Sequence, residues 1–414
     1  MNAKKILNNA GLYILASIIP PFFSIIINPF VAKNMSPMDY SIVGFYSSFN
    51  LLLTPLISFF LAHYYSKKYY ECSEEERTFL KAVIYRLFFL VSSLIAFFSI
   101  VGIGLYKYFL NENSLIPFLP YVLLFVATLF FNCFYTLELN YLKMKRNAIV
   151  FFSFSIVQSI LIILSTLFFV VIFKWGAFGK LLAPLIESLV LFLFILYKNK
   201  SLLCIHVPCS AFPKVLLFCY PLVLTAMLGF FTKGYDCILL ERLNNSKEFA
   251  LYTIGLQFST YLMLLTNALQ NTFQSDIYES VSKNNKRKLI KIGGLLLFAA
   301  VLVVLCFVLF APFIIDFLTY GRYTDAARYA QIMSISIIFS VLFYYATTVF
   351  VAKGRTKLLL INKIVVSICA IIITPLMIKK YTYVGGAASQ SILWIISLIS
   401  LCVCSKIIPN RKIQ

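Results

Sequence analysis

Apolar and polar positions alternate along this chain on the scale of whole helices. Apolar runs of about 20 residues recur from one end to the other, and short polar connections separate them. Such runs predict membrane-spanning α-helices, since the strands of a membrane β-barrel alternate polar and apolar residues one by one. By this length criterion the chain has about twelve spans. The runs are 9–32, 39–65, 79–109, 116–142, 148–173, 178–197, 221–242, 249–281, 292–319, 329–352, 358–378 and 384–404.

The composition agrees with an all-α integral membrane protein. Of 414 residues, 61% are hydrophobic and only 12% are charged, whereas charged residues make up about a quarter of a soluble protein. The net charge of +21 is typical of nucleic-acid-binding proteins. Here, however, the basic residues are spread over the connections and do not form one patch or tail, so we expect no nucleic-acid partner.

The distribution of basic residues predicts the orientation. One set of connections comprises both termini and every second loop, and it holds the dense Lys/Arg clusters, such as 283–291 and 353–357. The other set holds mostly isolated basic residues, such as Lys33 and Arg242, with Lys379–Lys380 as its densest pair. Because positive charge accumulates in cytoplasmic loops, both termini are predicted to be cytoplasmic, which requires an even number of spans.

The two halves of the chain resemble each other. The segment 146–179 passes from a basic loop through a helix to a Lys-aromatic step and a glycine, and 355–385 does the same. We therefore predict two pseudo-symmetric six-helix bundles around a central cavity, with the substrate site between the repeats. Their expected bounds are 1–200 and 215–414, and the polar segment 201–214 is the expected cytoplasmic linker.

The run 221–242 carries two charges at membrane depth, Lys233 and Asp236. Buried charges in a bilayer are costly and usually face a partner or a water-filled cavity. Side chains three residues apart share one helix face and can meet. Two interpretations are open: the residues line a substrate cavity, with Asp236 also a candidate for ion coupling, or they only neutralise each other as a structural ion pair.

The next run contains a stripe of amides. Asn267, Gln270, Asn271 and Gln274 follow a helical spacing and form one polar face, with the acid Asp276 just beyond it. Unpaired amides are unfavourable in lipid, so the stripe is expected to face protein or water. Hydrogen bonds between helices would also explain it. We predict that the four amides line the cavity, and Asp276 is a second candidate for ion coupling.

Three further residues are candidates for the cavity. Glu187 lies near the middle of its run, so it is also the third candidate for ion coupling, although it could instead pair with Lys180. Arg86 lies close enough to a helix end for its side chain to extend to the headgroups. Asn28 precedes Pro29, which predicts a kink or a break in the first helix.

No pattern of an enzyme or a metal site is present in the sequence. It contains neither GxSxG nor a Walker GxxxxGK[ST] motif, and its two histidines, His63 and His206, have no neighbouring cysteines at metal-ligand spacing. We therefore expect no enzymatic activity, no metal and no cofactor. Transport, if this is the function, is expected to be driven by an ion gradient or a substrate gradient.

Several segments, in this order, resemble the polysaccharide transporter family of the multidrug/oligosaccharidyl-lipid/polysaccharide exporter superfamily. The resemblance covers essentially the whole chain and is best in the second half. The segments are 176–179 (GAFG), 221–236, 252–255 (YTIG), 311–313 (APF), 323–327 (YTDAA), 353–357 (KGRTK) and 384–388 (VGGAA).

The resemblance implies a flippase of the bacterial inner membrane. Its substrate would be an undecaprenyl-diphosphate-linked oligosaccharide repeat unit for O-antigen or capsule assembly, moved by alternating access and ion coupling. Expected partners are this lipid, the membrane lipids, a polysaccharide polymerase and a chain-length regulator. Two alternatives remain open: a cation-coupled multidrug exporter of the same superfamily, which would favour an acidic cavity without a lysine, and a membrane O-antigen polymerase or glycosyltransferase, which would need longer outer loops.

Overall fold

The computed structural model describes residues 3–69, 71–110, 114–353 and 355–407, but not the side chains of 3–11, 13–14, 17–18, 110, 268, 271, 275, 356–357 and 406–407. The described backbone consists of helices and short connections, which confirms the all-α prediction. The α-helices are α1 Ala3–Asn34, α2 Pro37–Ser48, α3 Asn50–Ser58, α4 Leu61–Lys68, α5 Glu74–Leu87, α6 Ser93–Leu105, α7 Tyr121–Met144, α8 Ala148–Thr166, α9 Gly176–Lys198, α10 Lys200–Leu203, α11 Phe212–Met227, α12 Phe230–Lys233, α13 Tyr235–Glu241, α14 Ser246–Ser282, α15 Lys286–Thr319, α16 Ala326–Ala352 and α17 Thr356–Ile407.

Fewer helices pass the length and composition test for a membrane span than the about twelve runs predicted from the sequence. Within the described residues, nine helices are long and apolar enough to cross a membrane, or ten if the bent pair α2–α3 is one span. The helix α17 covers the last two predicted runs, which meet at Thr382, a residue with non-helical backbone angles. The first predicted run lies on α1, which continues through three prolines. Many large apolar side chains are exposed, as expected for a multi-pass protein that faces lipid.

The chain divides into two compact units, Met1–Met227 and Leu228–Gln414. In the first unit, α7 packs against α3 and α9, and α1 packs against α8. Rings from three elements form part of its core: Phe134 lies 5.2 Å from Phe88 and 5.0 Å from Phe192 between ring centroids. In the second unit, α16 packs against α14, α15 and α17, and the short α12 and α13 lie against α17.

The boundary between the units differs from the predicted linker. Residues 201–214 lie inside the first unit, and the chain passes to the second unit after Met227, within the predicted seventh span. The physical reason is the packing of α11, which contacts α3 and α4 of the first unit. Composition indicated the more polar segment, but polarity does not report which helices α11 contacts.

Each unit contains a similar turn, before α9 in the first unit and inside α17 in the second. In the first unit, Lys174 has a left-handed φ of 55° and precedes Gly179; in the second, Thr382 has a φ of 50° and precedes Gly385. A Cβ atom added to Gly179 would lie 2.8 Å from the Phe169 carbonyl oxygen, and one added to Gly385 would lie 2.1 Å from that of Met377. The glycines shared by segments 146–179 and 355–385 therefore permit a close approach of neighbouring helical segments in each unit.

Candidate substrate site

The predicted seventh span is broken at two places. α11 ends at Met227, α12 covers only Phe230–Lys233, and Gly234 (φ −133°, ψ −18°) separates it from α13. Lys233 ends one helix and Asp236 belongs to the next, so the prediction that they share one helix face is wrong. The two glycines near these breaks lower helix propensity, which the apolar length of the run does not reveal.

Lys233 contacts an aromatic surface in the second unit. Its Nζ lies 3.4 Å from the Met263 Sδ and 5.2 Å from the centroid of the Trp394 ring. The Trp394 ring is supported by Phe343 and Tyr344, at centroid distances of 5.4 and 5.5 Å. This geometry provides a cation–π contact, which stabilises an ammonium group most when it is removed from water.

A second lysine accompanies Lys233. Lys363 belongs to α17, the helix against which α12 with Lys233 packs, and like charges repel each other in a low dielectric. Neither lysine forms an ion pair with a carboxylate of the described residues. An ammonium group within the hydrocarbon region of a bilayer is unfavourable unless it faces a partner or water. Two uncompensated lysines therefore make this region of the second unit suitable for an anionic ligand.

Asp236 is buried in a separate polar cluster of the second unit. It is 4% exposed, and its Oδ2 accepts hydrogen bonds from the Tyr252 hydroxyl and, at 3.0 Å, from the Gln390 Nε2. Its Oδ1 is buried and has no hydrogen-bond partner within the described part of the chain. Gly386 permits the close packing here, because a Cβ atom on it would lie 2.8 Å from Leu240. A buried carboxylate with one unsatisfied oxygen is suited to holding a proton or a small cation.

The amide stripe lies on α14, which runs unbroken from Ser246 to Ser282. Asn267 and Gln270 are half-buried and Gln274 is exposed, while the Asn271 side chain lies outside the described residues. The Gln270 Nε2 is buried and has no hydrogen-bond partner among the side chains that the structure describes. The interpretation of the stripe as bonds between helices therefore receives no support from Gln270.

Glu187 is buried in the first unit, on α9. It is 4% exposed, Gln158 of α8 lies within hydrogen-bonding reach, and Oε1 has no partner among the described atoms. No ion pair with Lys180 is present in the described part of the chain. The alternative of a Glu187–Lys180 pair is therefore wrong for this structure.

The structure also shows where the other predicted site residues, Arg86, Asn28 and Asp276, lie. Arg86 donates to the carbonyl oxygen of Ile205 at 2.9 Å, so its guanidinium holds the segment after α10 instead of extending freely. Asn28 is buried on α1, which shows no break at Pro29. Asp276 accepts from the Lys288 Nζ at 3.0 Å, with both side chains about 40% exposed. Asp276 is thus in a surface ion pair between consecutive helices.

One buried ion pair was not predicted from the sequence. The Lys81 Nζ lies 2.8 Å from the Glu138 Oε2, with side chains 5% and 6% exposed. The Tyr85 hydroxyl donates to Glu138 at 2.7 Å, and Lys81 also donates to the Asn199 Oδ1 at 3.1 Å. Because all partners are internal, this cluster joins α5, α7 and the end of α9 and leaves no charge for a ligand.

Sequence reasoning also missed four residues of the second-unit clusters: Lys363, Trp394, Tyr252 and Gln390. A signal existed for two of them, since Gln390 is an amide within an apolar run and Trp394 is one of two tryptophans. Lys363 lies near a helix end, where a long side chain could reach the headgroups. Tyr252 resembles the many other tyrosines of the chain.

Comparisons with known proteins concern the fold. No protein-family model matches the chain. The lipid II flippase MurJ, in an inward closed conformation, has a TM-score of 0.74 and 17% identity, covering 97% of this chain and 88% of MurJ. An inward-facing multidrug resistance MATE transporter of the MOP superfamily also has a TM-score of 0.74, with 13% identity, covering 95% of this chain and 99% of the transporter. The chain has the fold of the MurJ and MATE transporters.

One curated relative is similar in sequence. The capsular polysaccharide biosynthesis protein CapF of Staphylococcus aureus is 24% identical over 201 residues, which are 46% of this chain and 49% of CapF. The chain thus matches about half of the length of that relative. Together with the apolar helices, the transporter fold makes this a multi-pass membrane protein.

Proposed function

We propose that this protein is a flippase that moves an undecaprenyl-diphosphate-linked oligosaccharide across the bacterial inner membrane. The observation that carries the proposal is that neither Lys233 nor Lys363 forms an ion pair with a carboxylate of the described residues, although both lie in apolar runs, on helices that pack against each other. An ammonium group binds phosphate as a point charge, and two of them match the charge of a diphosphate. The Trp394 ring beside Lys233 offers a flat apolar surface for the sugar or lipid next to it.

The buried Asp236 is the proposed site of ion coupling. In a low dielectric the free energy of a lone carboxylate is high, so it binds a proton or a cation. Binding and release of this ion would link transport to the gradient of the same ion, because the site is exposed to each side of the membrane in turn. Glu187 would have the same role in the first unit. In this proposal the two units are the halves of an alternating-access transporter with both termini in the cytoplasm.

The comparisons support the proposal at the level of class. MurJ is named as a lipid II flippase and CapF as a capsular polysaccharide biosynthesis protein. These names, and the resemblance to the polysaccharide transporter family, favour a lipid-linked saccharide for capsule or O-antigen. A polysaccharide polymerase and a chain-length regulator are the proposed protein partners.

A cation-coupled multidrug exporter is the second candidate. It is favoured by the MATE transporter, whose TM-score equals that of MurJ, and Asp236 would serve such an exporter equally well. The two lysines favour the flippase, because they repel a cationic drug and attract a diphosphate.

Transport by the purified protein in proteoliposomes distinguishes the two candidates. We expect it to move a fluorescent polyprenyl-diphosphate-linked saccharide between leaflets and not to transport a lipophilic cationic dye. Empty liposomes and liposomes with the Lys233→Ala/Lys363→Ala variant are the controls. Transport of the dye without movement of the lipid would favour the exporter.

A further inference from the structure

The second predicted span of the first unit is interrupted between α3 and α4. Phe59 and Phe60 both have left-handed backbone angles, with φ of 44° and 51°. This conformation costs an L-residue roughly 1–2 kcal/mol, and strained backbone of this kind concentrates at functional sites. Irregular backbone at membrane depth is tolerated only inside protein or beside a water-filled cavity.

The interruption is held by side chains of three other helical segments. The Ser92 hydroxyl donates to the carbonyl oxygen of Ile57 at 2.5 Å. The Cys219 thiol donates to the carbonyl oxygen of Phe60 at 3.6 Å, and the Cys133 thiol donates to the carbonyl oxygen of Thr54 at 3.9 Å. The carbonyl groups around the interruption are thus partly satisfied by donors from outside the span. We infer that the break belongs to the folded structure and forms one wall of a specific site.

A cavity of about 180 Å³ lies at this interruption, between α3, α4 and α7. One water needs only about 10–15 Å³ of such space, and drug-sized ligands take pockets of about 300–1,000 Å³. The cavity is therefore larger than a water or ion site and smaller than a drug site. Its polar lining comes from Thr54, Ser58, His63, Thr136 and Asn140.

The lining offers hydrogen-bond acceptors in particular. The hydroxyls of Ser58 and Thr136 donate to the carbonyl oxygens of Pro55 and Cys133, at 3.4 and 2.8 Å. The amide of Asn140 donates to the carbonyl oxygen of Thr136 at 2.8 Å. Because the two hydroxyl hydrogens and one N–H of the Asn140 amide are engaged by the main chain, the lone pairs of the two hydroxyls and of the amide oxygen remain for a ligand. A ligand with hydroxyl groups fits this lining, because it donates to these three oxygens and also accepts from the Thr54 hydroxyl, the His63 imidazole or the second N–H of Asn140.

The lining also limits the charge of the ligand. No carboxylate lines the cavity, and no group of three or more potential metal ligands from His, Cys, Asp and Glu exists among the described residues. A metal cation would lack a counter-charge there, whereas a neutral ring with several hydroxyl groups supplies donors without charge. The side chains of Pro55, Phe60 and Leu137 give the cavity an apolar side, which matches the C–H face of a sugar-like ring.

We propose that this cavity of the first unit binds one neutral sugar ring of the transported oligosaccharide. The inference rests on the proposed function, and it assigns sugar recognition to residues distinct from the two lysines. Thr136 and Asn140, one turn apart on α7, accept hydrogen bonds from ring hydroxyls. Thr54 and His63, for which the described residues provide no side-chain hydrogen bond, complete the contact from the interrupted span.

The test compares binding of three probes to the full chain in lipid nanodiscs. The probes are undecaprenyl diphosphate, undecaprenyl diphosphate that carries one neutral hexose, and free hexose. We expect the sugar to increase the affinity for the lipid about tenfold, the contribution of one or two hydrogen bonds. In Thr136→Val and Asn140→Leu this increase should fall below about threefold, while the affinity for the lipid without sugar stays unchanged. Weak competition by free hexose in the wild type, lost in both variants, would support the same site.

Thr128→Val is the matched control. Thr128 lies on the same helix, and its hydroxyl also donates to a main-chain carbonyl oxygen, that of Leu124, at 2.7 Å, but it does not line the cavity. The sugar-dependent increase should persist in this variant. Equal wild-type affinity for both lipids, or an increase that survives in Thr136→Val and Asn140→Leu, would overturn the sugar site and leave the flippase proposal intact. An increase that disappears when sodium is replaced by choline would assign the cavity to a cation instead. Failure of the wild type to bind either lipid would contradict the proposed function itself.

Discussion

Lys233 and Lys363 differ from Lys81, although all three are lysines within predicted spans. Lys81 has Glu138 at 2.8 Å and an amide and a hydroxyl nearby, so its charge is compensated inside the protein. Lys233 has a thioether and an aromatic ring as its neighbours. A charge with internal partners stabilises the fold, and a charge with only apolar neighbours is available for a ligand.

Loss of one member of the Lys81–Glu138 pair should destabilise the protein strongly. Lys81→Met leaves a buried carboxylate without a cation, and such a loss typically costs about 3–5 kcal/mol. Thermal unfolding of the detergent-purified protein measures the effect. The double variant Lys81→Met/Glu138→Leu should recover much of the lost stability. A double variant as unstable as the single one would show that the pair is not the source of the effect.

Asp236→Asn should alter the response of transport to its driving ion. The amide oxygen still accepts from Tyr252 and Gln390, but the side chain no longer takes up a proton and has no negative charge to attract a cation. We expect the rate of lipid flipping in proteoliposomes to lose its dependence on pH or sodium, while the lipid still binds. A profile identical to the wild type would exclude Asp236 from coupling.

At this scale the sequence identified which residues are unusual but not what they contact. A lysine and an acid in an apolar run were visible; Lys233 lies against Met263 and Trp394, and Asp236 lies in a polar cluster of the second unit. Their partners were not visible: Gln390 lies 154 positions from Asp236 along the chain. Proximity in sequence suggested the pair Lys233–Asp236, and the break at Gly234 prevents it.

The lengths of the apolar runs predicted where the helices lie, but they did not predict where the helices are interrupted. Every predicted run coincides at least in part with a helix or a set of helices, because the span must match the bilayer thickness. The interruptions at Phe59–Phe60 and at Gly234 were not predicted. The first occurs at two phenylalanines without a neighbouring glycine or proline, so the sequence around it does not distinguish it from a continuous helix, and hydrogen bonds from other helices to its carbonyl groups hold it.

The turn at Thr382 inside α17 provides a test at this scale. Gly385→Ala adds a Cβ atom 2.1 Å from the Met377 carbonyl oxygen, so the helix must shift. We expect a loss of about 1–3 kcal/mol in the free energy of unfolding, as for other overpacked sites. Gly294→Ala is the control, because nothing lies within 4 Å of its added Cβ. An alanine there should leave the stability unchanged or raise it by up to about 1 kcal/mol. Equal effects at both positions would contradict the close approach.

For the whole molecule, the repeat was detected as a weak similarity between 146–179 and 355–385. The structure gives it a physical basis in the two left-handed residues and the two glycines. The boundary after Met227 was not predictable, because it depends on contacts of α11 with α3 and α4. The fold does not determine the direction of transport or the substrate, because a lipid flippase and a drug exporter share it.

The predicted topology is testable at the same scale. Because the dense basic clusters alternate with sparsely charged connections, both termini should be cytoplasmic. A fluorescent protein that folds only in the cytoplasm should be bright, and a phosphatase that is active only in the periplasm should be inactive, when either is fused to the C-terminus. Active phosphatase at that end would contradict the orientation.

The affinity for undecaprenyl diphosphate tests the central claim most directly. The dissociation constant is measured in nanodiscs for the wild type, Lys233→Ala, Lys363→Ala and the double variant, with undecaprenol, which lacks the phosphates, as the reference ligand. We expect each single variant to weaken binding of the diphosphate by about tenfold or more, and the charge-preserving Lys233→Arg to retain it. Binding of undecaprenol should be the same in all of them. If the double variant binds undecaprenyl diphosphate as tightly as the wild type, the two lysines are not the diphosphate site.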